Sequence, residues 1–350
     1  MAFFNPKPSS LRSKLFTFLK FTIFLGLGIV IIWLSLRNLT SVEKHQIILS
    51  FRTANYNWVI LAIILGICSH IVRSLRWMLL FDTMGYHPTL KNTFYAVMVG
   101  YFANLAFPRL GEVTRCGVLA QYEKIPFNKS FGSVISERAL DMLLFFLLFF
   151  LMILTQIGTI QSYMDKNVYP KVTGKFIDPA FWRKVIWLLV ISVVVIALVL
   201  YFFRKKLSNT RIYQKIKSIL IGFLDGLKSL IQVRKPVLFI FYSILIWVLY
   251  FFMLYICFFC FPATSQLSMG AGLSALVLGS IGIMITPGGI GLYPAIVQET
   301  LLLYGVTNTT GLALGWIAWT AQTFMIIAVG GISLLLLSFN KNKYGISGDH

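Results

Sequence analysis

The sequence predicts an all-α, polytopic integral membrane protein of about seven or eight transmembrane helices, with two broken or re-entrant helical elements and a two-fold internal repeat. Three observations carry that prediction. Of the 350 residues, 58% are hydrophobic and 12% charged, against about 25% charged in a soluble domain, and the mean hydropathy is +0.81. Apolar runs long enough to cross about 30 Å of hydrocarbon recur along the chain. Two further apolar runs are short and stop at Pro and Gly: one ends at Pro108-Arg-Leu-Gly111, the other at Thr286-Pro-Gly-Gly-Ile-Gly291.

Taken in order, Lys7, Arg12, Lys14 and Lys20 lie at the start of a first apolar run, residues 16–36, with no acidic residue among them. The run is too long for a signal-peptide core and no small-residue cleavage site follows, so it reads as an uncleaved span with a cytoplasmic N-terminus. A weakly amphipathic connection leads to Trp58 and a second span, 58–80, whose last turns carry His70, Arg73, Arg76 and Trp77 on one broad face. Residues 92–107 are apolar but fall short of the roughly 20 residues a crossing needs. They break at Pro108 and restart with Glu112 and Arg115. A further span, 133–157, opens with Glu137, Arg138 and Asp141, the two acids stacked one turn apart.

Residues 159–184 read as an outer loop, and 185–203 as a span returning to the cytoplasm. The following loop, 204–236, carries nine Lys and Arg against Asp225 alone, the strongest orientation signal in the chain, around a helical apolar stripe from Ile212 to Leu230. Spans are expected at 237–261 and 269–286, then the second break, a short helix to residue 304 and a final span, 312–337. The whole chain, 1–350, reads as one membrane domain with a first half 1–158 and a second half 185–340, placed in the cell membrane as a multi-pass protein.

The net charge of +20 lies in loops beside spans, where it orients the chain against anionic headgroups, and no folded basic domain is left over to bind nucleic acid. Cys257-x-x-Cys260 lies in an apolar run without His or further Cys, so no metal or redox cofactor is expected. The nucleophile elbow, zinc-protease motif and Walker loop are missing, so no enzymatic activity is expected.

The two breaks resemble each other. Gly100 precedes Pro108 by eight residues and Gly279 precedes Pro287 by eight, with Gly111 after the first and Gly288, Gly289 and Gly291 after the second. Matched interruptions in two halves of a membrane protein point to a transport site at a repeat interface. Helix N-termini restarting after such breaks accept phosphate, and Arg73, Arg76, Arg109, Arg115 and Arg138 add bidentate phosphate donors. Glu112, Glu137 and Asp141 either pair with those arginines or titrate and couple movement to protons. Glu299 is the only acid between Asp225 and Asp349; Trp316, Trp319 and Gln322 read as packing.

Together, Arg73-x-x-Arg76-Trp77, the block Gly100-Tyr-x-x-Asn104-x-x-x-Pro108-Arg-x-Gly-Glu112-x-x-Arg115, Ser133-x-x-x-Glu137-Arg138-x-x-Asp141 and Pro287-Gly-Gly-Ile-Gly291 resemble the flippase-like integral membrane family, also called the lysylphosphatidylglycerol synthase transmembrane region. The resemblance covers most of the chain. It implies translocation of a lipid headgroup, with the membrane lipid itself as partner: an aminoacyl phospholipid, another phospholipid or a polyprenyl-phosphate-linked sugar. It implies substrate-binding roles for Arg73, Arg76, Asn104, Pro108, Arg109, Glu112, Arg115, Glu137, Arg138, Asp141, Pro287, Gly288, Gly289 and Gly291; Glu299 joins these substrate-binding candidates as the lone acid of its stretch rather than through the motifs. Relatives often carry an acid two or three positions after the glycine turn; here the first acid is Glu299. Two other readings stand beside this one: a proton-coupled carrier of small solutes, and a non-catalytic membrane partner of a separate lipid-modifying enzyme.

Overall fold

A computed structural model describes residues 37, 40–106, 110–163 and 233–343. The predicted spans 16–36 and 185–203, the loop 164–184 and the amphipathic stripe 212–230 lie outside the described residues. Every regular element among the described residues is helical, and four helices are long and apolar enough to cross a membrane.

A short surface helix, α1 (Ser41–Thr53), is closed at its start by a capping box between Thr40 and Glu43. Thr40's backbone N–H and hydroxyl hold the Glu43 carboxyl below its ordinary pKa. Then comes α2 (Tyr56–Thr83), the first described span. It is followed by α3 (Leu90–Ala106) and α4 (Leu110–Tyr122), 17 and 13 residues long, which at 1.5 Å per residue reach about 25 and 20 Å. Neither crosses about 30 Å of hydrocarbon. They fold back on each other: Gly111 lies against Gly100, Arg115 also against Gly100, and at the open end Glu123 accepts from the Thr89 N–H and hydroxyl and from Asn92. This is an antiparallel helical hairpin. The chain then crosses along α5 (Phe127–Tyr163).

The second described unit repeats that order. It has a span α6 (Pro236–Cys257) and a 3₁₀ turn leading to the single-turn helix α7 (Pro262–Ser265). Two short helices follow, α8 (Met269–Ile285) and α9 (Leu292–Leu302), then a long final helix α10 (Asn308–Lys343). Elements starting at 56, 90, 110 and 127 in the first unit answer elements starting at 236, 269, 292 and 308 in the second, an offset of 179 to 182 residues throughout. One expectation is corrected here: residues 269–286 do not form a span. α8 has 17 residues and folds back onto α9, with Gly279 and Gly282 against Tyr293 and the Ser274 hydroxyl 2.7 Å from that of Tyr304. Its apolar composition reflects burial against α9 and α6 rather than exposure to lipid.

Hydrogen bonds between the units locate both ends of the bundle. The Arg234 N–H donates to Thr83 and Tyr122 donates to the Leu337 carbonyl, so the end of α2, the open end of the first hairpin, the start of α6 and the end of α10 share one end. At the other end, the Asn55 N–H donates to the Cys260 carbonyl and Tyr304 donates to Gln156. The first hairpin therefore opens at the end carrying Arg234 and Lys235, the second at the opposite end, and their closed tips meet inside: Leu105, near the tip of α3, reaches Gly288 in the second turn.

Candidate functional site

Three helices, α2, α4 and α5, direct charged side chains into one place beneath these tips. On α2, Arg73 and Arg76 lie three residues apart and are 4% and 0% exposed. On α5, Glu137 and Asp141 are one turn apart and point the same way. Arg76 Nη1 donates to Asp141 at 2.7 Å and Arg76 Nη2 to Glu137 at 3.0 Å, while Arg73 Nη1 donates to the other Asp141 oxygen at 3.0 Å. From α4, Arg115 Nη2 donates to the second oxygen of Glu137 at 2.8 Å. Each acid thus bridges two arginines. Tyr250 and Ser243 on α6 accept from Arg73 and Arg76, and Tyr101 on α3 lies 3.5 Å from Tyr250. The Arg115 guanidinium sits 4.5 Å over the Trp77 ring, whose indole donates to Ser133.

A second pair borders this network: Arg138 Nη2 donates to Glu112 at 2.8 Å, with side chains 45% and 22% exposed. Asn104 accepts the Gly111 N–H at 2.7 Å, satisfying one of the unpaired donors in the first turn of α4 and closing the hairpin tip. Gly111 has no room for a side chain there, since a Cβ would strike the Gly100 carbonyl and the Asn104 amide. In the opposite turn, Gly288, Gly289 and Gly291 adopt φ of 60°, 76° and 71°, which only glycine takes without strain, and Pro287 opens the turn. The Trp319 indole donates to the Gly288 carbonyl at 2.7 Å.

Of the residues singled out in the sequence, Arg73, Arg76, Arg115, Glu137 and Asp141 form the buried network, with Arg138 and Glu112 at its margin. Asn104 and the residues 287–291 form the two facing tips. Glu299 is exposed on α9 and takes no part in the charged network, and Pro108 and Arg109 lie outside the described residues. The carboxylates stand as ion-pair partners of the arginines. Ser243, Tyr250 and the bond from Trp319 were not foreseen. Ser243 and Tyr250 recur seven residues apart in an otherwise apolar span, and polar groups on one face of a span are costly unless used.

Such an arrangement can hold an anion. Four arginines meet three carboxylates among the described residues, and Nε of Arg73, Arg76 and Arg115 is buried without a hydrogen-bond partner. An unneutralised cation inside hydrocarbon costs at least about 2.5 kcal/mol, so the excess charge is a standing attraction for a phosphate or carboxylate. Among the described residues, no group of His, Cys, Asp and Glu could hold a metal ion.

Among the described residues, four candidate spans and two facing hairpins around a buried ionic cluster define a multi-pass helical membrane protein. Residues 18–331 match the family of the lysylphosphatidylglycerol synthase TM region, and the chain belongs to that family. A UPF0104 membrane protein of Methanocaldococcus jannaschii is 39% identical over 100 residues, covering 27% of this chain and 30% of that protein. No solved structure matches the chain significantly.

Proposed function

We propose that the protein is a lipid translocase, not an enzyme, and moves the headgroup of a phospholipid, an aminoacyl phospholipid or a polyprenyl-phosphate-linked sugar between leaflets of the cell membrane. The observation that carries this reading is the charge balance of the buried network: an excess arginine at the meeting point of two hairpin tips suits a phosphate group. The two units act as an inverted repeat, because the same order of span, hairpin and span starts from opposite ends. Both hairpins are re-entrant, which brings helix termini and irregular backbone to mid-membrane, where such segments persist only when shielded by protein or lining a watery cavity. The end bearing Arg234 and Lys235 faces the cytoplasm, as does the N-terminus, by the positive-inside rule.

During translocation the phosphate rests among Arg73, Arg76 and Arg115, the acyl chains stay in the bilayer, and the glycine turn 288–291 forms the opposing wall. The test is a translocation assay on purified protein in liposomes, with headgroup-labelled lipids of several classes. Movement that exceeds empty liposomes and falls to background in Arg76→Gln supports the reading. Silence across all lipids refutes it. Uptake of a water-soluble compound driven by a pH gradient would favour a solute carrier instead, and lipid movement only with a co-purifying enzyme would favour a partner role.

A further inference from the structure

We infer that the headgroup enters sideways from the bilayer through the seam between α4 and α5, with Arg138 as its first phosphate ligand; this rests on the lipid-translocase reading. The outer stripe of α5 runs through Phe131, Ile135, Arg138, Met142 and Phe146, each three or four residues from the next and so on one face. Its apolar members are 37%, 40%, 54% and 49% exposed, as expected of a surface meeting lipid chains. Arg138 stands in the middle of that stripe. Across the seam, Leu110 and Val113 are similarly open and flank Glu112.

Depth makes the arginine conspicuous. Lys129 is exposed at the polar end of α5, and Arg138 lies five residues, about 7–8 Å at the helical rise, inside the span expected from residue 133. A guanidinium open to the bilayer at that level persists only where it is paired or used. The pair with Glu112 engages one of five N–H donors. Glu112 keeps its other oxygen buried without a hydrogen-bond partner, so neither member is fully satisfied by the other. Arg73, Arg76 and Arg115 are closed off by burial; Arg138 is the arginine of this cluster that a lipid reaches without leaving the bilayer. A phospholipid standing against the stripe keeps its chains beside Ile135 and Met142 while its phosphate takes the spare donors of Arg138. The Arg138–Glu112 pair then parts, and the phosphate passes inward to the buried arginines.

The experiment uses the full-length protein in liposomes containing a phospholipid with a diazirine on its headgroup, followed by mapping of crosslinks by mass spectrometry. Crosslinks are expected along the seam, around Val113, Ile135 and Met142, and not around Phe324 or Ile332 on the exposed face of α10. Arg138→Gln should lower seam labelling about tenfold, the scale of one lost charge-assisted hydrogen bond. Arg138→Lys should keep most of it, and Glu112→Gln, which frees the guanidinium, should raise it. Equal labelling of all lipid-facing helices overturns the inference. So does a fall with Glu112→Gln as deep as with Arg138→Gln, which would make the pair a structural brace. Translocation that survives Arg138→Gln removes the port and leaves the translocase reading standing. Arg138-dependent labelling without translocation keeps the headgroup site and removes the translocase.

Discussion

Moving 180 or 181 residues on from three charged positions of the first unit leads to Met253 for Arg73, Ala318 for Glu137 and Gln322 for Asp141. All three line one small cavity between α2, α6, α9 and α10, together with Tyr293 and Met325. The place that holds interlocked ion pairs in the first unit thus holds methyl groups, two thioethers, the uncharged amide of Gln322 and a small void in the second. The same order of span, hairpin and span packs in both. The architecture therefore forms without charges at its centre, and the fold alone does not call for the first unit's arginines and acids. Buried ion pairs are seldom a net source of stability compared with apolar packing, so their presence on one side speaks for use rather than support.

The two units differ with greatest consequence at Glu137. Glu137→Ala leaves Arg76 and Arg115 buried against a lost partner and should cost about 3–5 kcal/mol, read as a large drop in thermal midpoint in detergent. Loss of midpoint by no more than a surface substitution would mean that the network is hydrated, and the contrast with the second unit would weaken. Gly111→Ala forces α3 and α4 apart and should cost about 1–3 kcal/mol and slow translocation. Gly117→Ala, on the same helix with no atom within 4 Å of the added methyl, should leave both unchanged. Asn104→Ala removes the bond that closes the first tip and should cost about 0.5–2 kcal/mol. In the second unit, Trp319→Phe frees the Gly288 carbonyl at about 0.5–1.5 kcal/mol, and its effect on translocation rate measures how far that turn must stay fixed. Smallest of all, Glu299→Gln should leave translocation as it was; a marked loss would restore an acidic role to the second hairpin.

Both breaks were legible in the sequence, because Pro and Gly are the only residues that interrupt an apolar helix so bluntly. The spacing of Glu137 and Asp141 also announced a shared face. The direction of α8 was not legible. Seventeen apolar residues look alike whether they go on across the bilayer or turn back, and only contacts such as Gly279 with Tyr293 separate the two. Parity was hidden for the same reason: each hairpin restores the chain to the end it left, and the bond from Tyr122 to Leu337 is what places the end of α10. The sharing of one carboxylate between Arg76 and Arg115 depends on three helices meeting, which no local spacing encodes.

The pairing of α2 with α5 also dictates an order of assembly. Arg73 and Arg76 find their acids 61 to 68 residues later in the chain. At about 5–20 residues per second of synthesis, α2 waits several seconds with two guanidinium groups in its inner turns and no counter-charge. During that interval the two guanidinium groups have only water or lipid headgroups as partners. Arrival of α5 supplies their counter-charges, so the ionic cluster closes only once both helices are in place. Truncation before Glu137 should leave α2 open to membrane-impermeant thiol reagents at positions that the completed protein protects.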